Sequence, residues 1–108
     1  MLNKIALTAV MLLSTASYAD GRWTENHPRR AEVNGRLANQ NARINAGVRD
    51  GSLTPHEAHK LRREDRTIRA EERAMAAEHN GHITKGEQRQ LNRQENHVSG
   101  QIYRERHD

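Results

Sequence analysis

Two stretches, Asp50-Gly51-Ser52-Leu53-Thr54-Pro55-His56-Glu57 and Asn80-Gly81-His82-Ile83-Thr84-Lys85-Gly86-Glu87, stand 30 residues apart and share one plan. Each begins with a turn dipeptide, Asp-Gly or Asn-Gly, that breaks whatever precedes it. An apolar residue follows, Leu53 or Ile83, and then Thr-x-x-Glu. In that tetrad the Thr hydroxyl accepts from the backbone N–H three residues on, while the Glu carboxylate reaches back to the Thr N–H. Pro55 stands at the first helical position, where a missing N–H costs nothing. Both stretches therefore read as turns that launch helices.

The 30-residue offset continues into the helices: Leu61 aligns with Leu91, Arg63 with Arg93, Asp65 with Glu95 and Ile68 with Val98. A helix is expected from Pro55 to about His79, with Leu61, Ile68 and Met75 recurring every seven residues as a narrow seam. Another is expected from Lys85 to about Arg106, with Leu91, Val98, Ile102 and Tyr103 as its apolar positions. Upstream, Trp23 to about Val48 reads as a further helix, since Val33, Leu37, Ile44 and Val48 share a face. Gly35 and the polar run Asn39-Gln40-Asn41 weaken it. A fainter copy of the turn, Asp20-Gly21-Arg22-Trp23-Thr24, precedes it at the same offset. The expected fold is all-α, a small helical hairpin or three-helix bundle of repeats at about 20–49, 50–79 and 80–108.

Residues 1–19 carry the pattern of a secretory signal: Lys4, an apolar run from Ile5 to Leu13 broken only by Thr8, and the small-x-small site Ser17-Tyr18-Ala19. Export to the periplasm or beyond is expected, with cleavage near Ala19, no membrane span afterwards, and no cysteine for a lipid anchor. Residues 20–108 form one small domain. Some fourteen sizeable apolar residues serve it, a thin core that would suit a homodimer or folding on a partner. Without cysteine, stability must come from packing, ion pairs or partners.

Past Ala19 there are 17 basic and 14 acidic residues, a net charge of +3, and 15 of the basic residues are Arg. Guanidinium forks suit carboxylate and phosphate, which points to an unknown protein or an anionic envelope component as partner. Arg62, Arg63, Arg66, Arg69 and Arg73 are the candidate contacts. The same run also reads as a solvated face, with Lys60–Glu64 and Asp65–Arg69 as i,i+4 pairs. So small an excess charge argues against nucleic acid, as does the scarcity of aromatics, Trp23 and Tyr103 alone after residue 19.

The two Gly-x-(Leu/Ile)-Thr-x-x-Glu units and the closing Ile102-Tyr103-Arg104-Glu105-Arg106-His107-Asp108 resemble a group of small exported proteins of Gram-negative bacteria. The resemblance spans about Leu37 to the end. It implies export and a helical hairpin, and it carries no activity to transfer.

The turns also look like the second half of an EF-hand loop, with Asp50 or Asn80 at loop position 5, Gly at 6 and Glu57 or Glu87 at 12. Ala46 and Ala76 stand at position 1 where a carboxylate ligand belongs, so calcium is not expected. Histidines offer a different metal chemistry. His56 and His59 lie at i,i+3, and His79 and His82 bracket the second turn, spacings at which imidazoles can hold copper, nickel or zinc. Catalysis finds no support: no Cys nucleophile, no Ser-His-Asp grouping and no phosphate-binding loop are visible. The leading expectation is a non-enzymatic interaction or stress-accessory protein binding an anionic surface or acidic client. A periplasmic metal-binding accessory is the alternative, and no cofactor is expected beyond such a transition metal.

Overall fold

The computed structural model describes residues 21–108. The expected signal segment and cleavage site fall outside them. Three helices follow a short helical stretch at 21–26: α1 (Pro28–Arg49), α2 (Pro55–Glu78) and α3 (Lys85–His107). All three pairs of helices pack together, giving a small all-α three-helix bundle. The first turn places α2 antiparallel to α1, and the second returns α3 alongside α1.

Local chemistry explains the element boundaries. Thr54 Oγ1 accepts from Glu57 N at 3.1 Å while Glu57 Oε1 accepts from Thr54 N at 2.9 Å. Thr84 and Glu87 repeat both bonds at the same distances. Gly51, Asn80 and Gly81 have φ of 79°, 55° and 91°, the left-handed geometry that Gly and Asn adopt most readily. The faint third copy behaves differently. Gly21 to Asn26 are helical, the break falls at His27, and α1 begins at Pro28 instead of Trp23. Thr24 therefore lies inside helix, and no side chain caps α1.

Two spacings, four and three, alternate along every buried face. Val33, Leu37, Gln40, Ile44 and Gly47 are buried in α1; Leu61, Asp65, Ile68 and Glu72 in α2; Leu91, Glu95, Val98 and Ile102 in α3. Val33, Leu37, Gln40 and Ile44 precede the α2 set by 28 residues, so the first unit is out of step with the 30-residue repeat by two. The seven-residue string Leu61, Ile68, Met75 is half of a heptad seam. Its other half is acidic, Asp65 and Glu72, and this corrects two expectations. Asp65 is buried, not a surface partner of Arg69, and neither Asp65–Arg69 nor Lys60–Glu64 closes as an ion pair. Val48 and Tyr103, expected on apolar faces, are exposed. Val48 is displaced because the heptad puts Gly47 inward, and Tyr103 because Ile102 takes the inward position.

Each turn is gripped by the helix that it does not connect. Arg106 of α3 donates to Asp50 Oδ2 at 2.8 Å and to Ser52 Oγ at 3.0 Å, holding the α1–α2 turn. Arg29 and Arg30 of α1 hold the α2–α3 turn, donating to the carbonyls of Ile83 at 3.2 Å and Gly81 at 3.1 Å. Arg30 also forks onto Glu72, which is 1% exposed. Trp23, His27 and His82 stack beside this end at centroid separations of 4.6 and 4.7 Å.

Candidate anion-binding groove and histidine positions

Three ion pairs join arginine to a carboxylate among the described residues: Arg30–Glu72, Arg36–Glu32 and Arg106–Asp50. Arg29 holds a backbone carbonyl, Arg36 also reaches Asn96 and Arg43 binds Ser99. These side chains serve the fold. The run on α2 is disposed otherwise. Arg62, Arg66, Arg69 and Arg73 follow one another at spacings of four, three and four, which lines them along one side of the helix. Arg62 donates to Asn45 Oδ1 of α1 at 2.7 Å. Arg66 and Arg73 are exposed with no hydrogen bond or ion pair, and Arg69 is half-buried, interacting only through the field of Asp65. Arg63, also exposed and unpaired, lies on the outer face.

Arg62, Arg66 and Arg69 line a groove of about 420 Å³ between α1 and α2 together with buried Leu37 and Asp65 and exposed Ala38 and Asn41. Guanidinium groups in a partly apolar groove suit an anion carried on an apolar stem. Asp65 opposes that charge, and its two oxygens have no hydrogen-bond partner. Burial first, then repulsion from Glu64, pushes its carboxyl up to about 6, against the pull of Arg69. A second groove, about 460 Å³ between α2 and α3, has Ile68 and Val98 at its base and one glutamate, one arginine and His97 among its lining residues. Its mixed charge selects no sign of ligand.

Histidines predicted as ligands are distributed unevenly. His56 and His59 are exposed on the first turns of α2, and neither belongs to a group of three ligand-bearing side chains among the described residues. His82 stacks on His27, so the second turn does not present His79 and His82 as a pair. His79 instead faces Glu87, with Nε2 3.4 Å from Oε2. Glu78 completes a group in which one ligand atom from each residue lies within 4.8 Å of the others. The Thr84 backbone N–H above all, with His79 adding to it, lowers the pKa of Glu87 against the opposing effect of burial.

Of the calcium-like positions, Glu57 and Glu87 serve the caps. Asp50 accepts from Ser52 N and from Arg106, and those bonds, led by Ser52, lower its pKa. Asn80 shapes the turn through its positive φ. Glu78 was missed because it reads as one more helix-end carboxylate. The repeat carries a signal that could have found it: at Glu78 and His79 the other copy has Val48 and Arg49.

Comparisons with protein-family models, curated proteins and solved structures returned no match to this chain. Function therefore rests on the residues themselves. Among the described residues no helix is long and apolar enough to cross a membrane.

Proposed function

We propose that this chain is an exported, non-enzymatic helical protein of the periplasm or extracellular space that binds an acidic client protein through the arginines of α2. The observation that carries this reading is the division of labour among arginines. Arg29, Arg30, Arg36, Arg43 and Arg106 hold turns and neighbouring helices, whereas Arg66 and Arg69 line a partly apolar groove without an ion pair and Arg73 continues their side of α2. An acidic protein segment fits the groove better than a bare polyanion, because Leu37 and Ala38 line it and can take apolar side chains. Export supplies the setting and rests on the signal pattern of residues 1–19.

The test is binding of the chain to fluorescein-labelled poly-glutamate and to a peptide alternating Glu with Leu, across a salt series. Arg66→Gln, Arg69→Gln and Arg73→Gln together should weaken the Glu-Leu peptide about tenfold at low salt, from roughly 0.5 kcal/mol per exposed charge pair. These side chains make no hydrogen bonds or ion pairs, so helicity should be unchanged. Equal affinity in the triple variant and the parent would remove the α2 arginines from the function. Tighter binding to duplex DNA than to either acidic probe, with a steep salt slope, would replace the client protein by a polyphosphate ligand.

A further inference from the structure

The two repeated turns are nearly the same device, and they differ at one corner. Both close the same capping box with the same distances. Beside Glu57 the preceding helix ends in Val48 and Arg49, which offer no metal ligand. Beside Glu87 it ends in Glu78 and His79, which do. We propose that Glu78, His79 and Glu87 form a binding site for a divalent transition-metal ion at the α2–α3 turn.

The cap itself prepares the site. Glu87 Oε1 is held by Thr84 N at 2.9 Å, which fixes the carboxylate and leaves Oε2 turned to His79 Nε2 at 3.4 Å. Two ligand atoms that far apart, each about 2.0–2.1 Å from a common ion, subtend roughly 110° at it, close to the tetrahedral angle that zinc adopts. Glu78 is exposed at the last position of α2, with a carboxylate oxygen within 4.8 Å of the other two ligand atoms. Two carboxylates match the ion's double charge, and an imidazole favours zinc, nickel or cobalt over calcium and magnesium. His79 and Glu78 also lie at the C-terminal end of α2, whose free carbonyls favour a cation. Solvent fills the remaining coordination position, since His79 is exposed.

The sister turn is an internal control. Zinc titrated calorimetrically into the chain should fill one tightest site per molecule and raise the melting temperature, as a ligand of the folded state does. His79→Ala should weaken that site about tenfold or more and abolish the thermal shift. Glu87→Gln keeps the cap, which Gln also forms, and should weaken zinc without loss of helicity. Glu57→Gln, the same change at the turn where no such group of three ligands forms among the described residues, should leave zinc affinity as it was, and so should His82→Ala. The proposal is overturned by an absence of zinc binding, by a tightest site that survives His79→Ala, or by one that disappears with His56→Ala plus His59→Ala. Calcium in excess that displaces zinc would overturn the assignment to transition metals.

Discussion

Gly35 and Gly47 lie on the same helix, yet an added methyl group would act oppositely at the two. A Cβ at Gly35 meets nothing within 4 Å, so Gly35→Ala should stabilise the fold by about 0.5–1 kcal/mol through helix propensity. A Cβ at Gly47 would stand 2.6 Å from Leu53 Cδ1 and 3.3 Å from Arg106 Cδ. Leu53 is buried and its N–H is tied to the Gly47 carbonyl at 3.0 Å, so it has little freedom to retreat. Gly47→Ala should cost about 1–3 kcal/mol by overpacking. Urea denaturation of the two variants measures both, and a stabilised Gly47→Ala would mean that Leu53 repacks freely. Arg30 sets the other residue-level test. Removing it leaves the Glu72 carboxylate buried among helices without its cation, and Arg30→Met should destabilise by about 3–5 kcal/mol. A loss below 1 kcal/mol would show that Glu72 reaches water once the arginine is gone.

The helix boundaries at the two capping boxes were legible because each rests on short-range chemistry. Thr54, Glu57, Thr84 and Glu87 need only their own backbone to act, and their bonds form as the sequence indicates. Thr54→Ala and Thr84→Ala should each cost about 1 kcal/mol in a denaturation midpoint. Near-additive loss in the double variant is expected, since the turns lie at opposite ends of α2. Other features were not legible because they depend on distant residues. Pro28 drives His27 out of helical geometry and starts α1 afresh, whereas the hydrophobic spacing reads straight through it, so the start of α1 was misplaced. Asp65, Glu72 and Glu95 sit at heptad positions where apolar side chains are the rule, and pattern reading assigned Asp65 to the surface. For the candidate sites, the arginine stripe on α2 follows from helical spacing alone. Which arginines hold the fold and which do not emerges only once α1 and α3 are packed against the turns.

At the scale of the whole molecule, those buried carboxylates make stability depend on pH in an unusual direction. Glu95 is fully buried and neither carboxylate oxygen has a hydrogen-bond partner. Glu32 and Arg36 face it from α1, and Asp65 and Glu72 from α2. Burial above all, then repulsion from Glu32, pushes its carboxyl up to about 8, with Arg36 opposing and the two α2 acids adding to the rise. Asp65 is raised to about 6. In the unfolded chain both groups release their protons near pH ~4. From about pH 4 to 8 the folded state therefore holds more protons than the unfolded state, and stability falls as pH rises. Below that window both states are protonated at these two positions and their effect levels off. Glu32 and Asp50 run the other way. Burial raises Glu32, but hydrogen bonds from Gln88, Asn92 and Arg36 outweigh it, and Ser52 leads the lowering at Asp50. Their stabilisation is present above the unfolded carboxylate range and is lost as pH falls through their folded values. The chain should thus be most stable in mild acid, near pH ~5, and weaker at pH ~8. Glu95→Gln keeps the shape of the side chain and removes its ionisation. At pH 4 the variant and the parent should melt nearly together, whereas at pH 8 the variant should be more stable by on the order of 2–4 kcal/mol. Calorimetric melting of both chains at the two pH values checks this, and parallel profiles would place the pH dependence in groups other than Glu95.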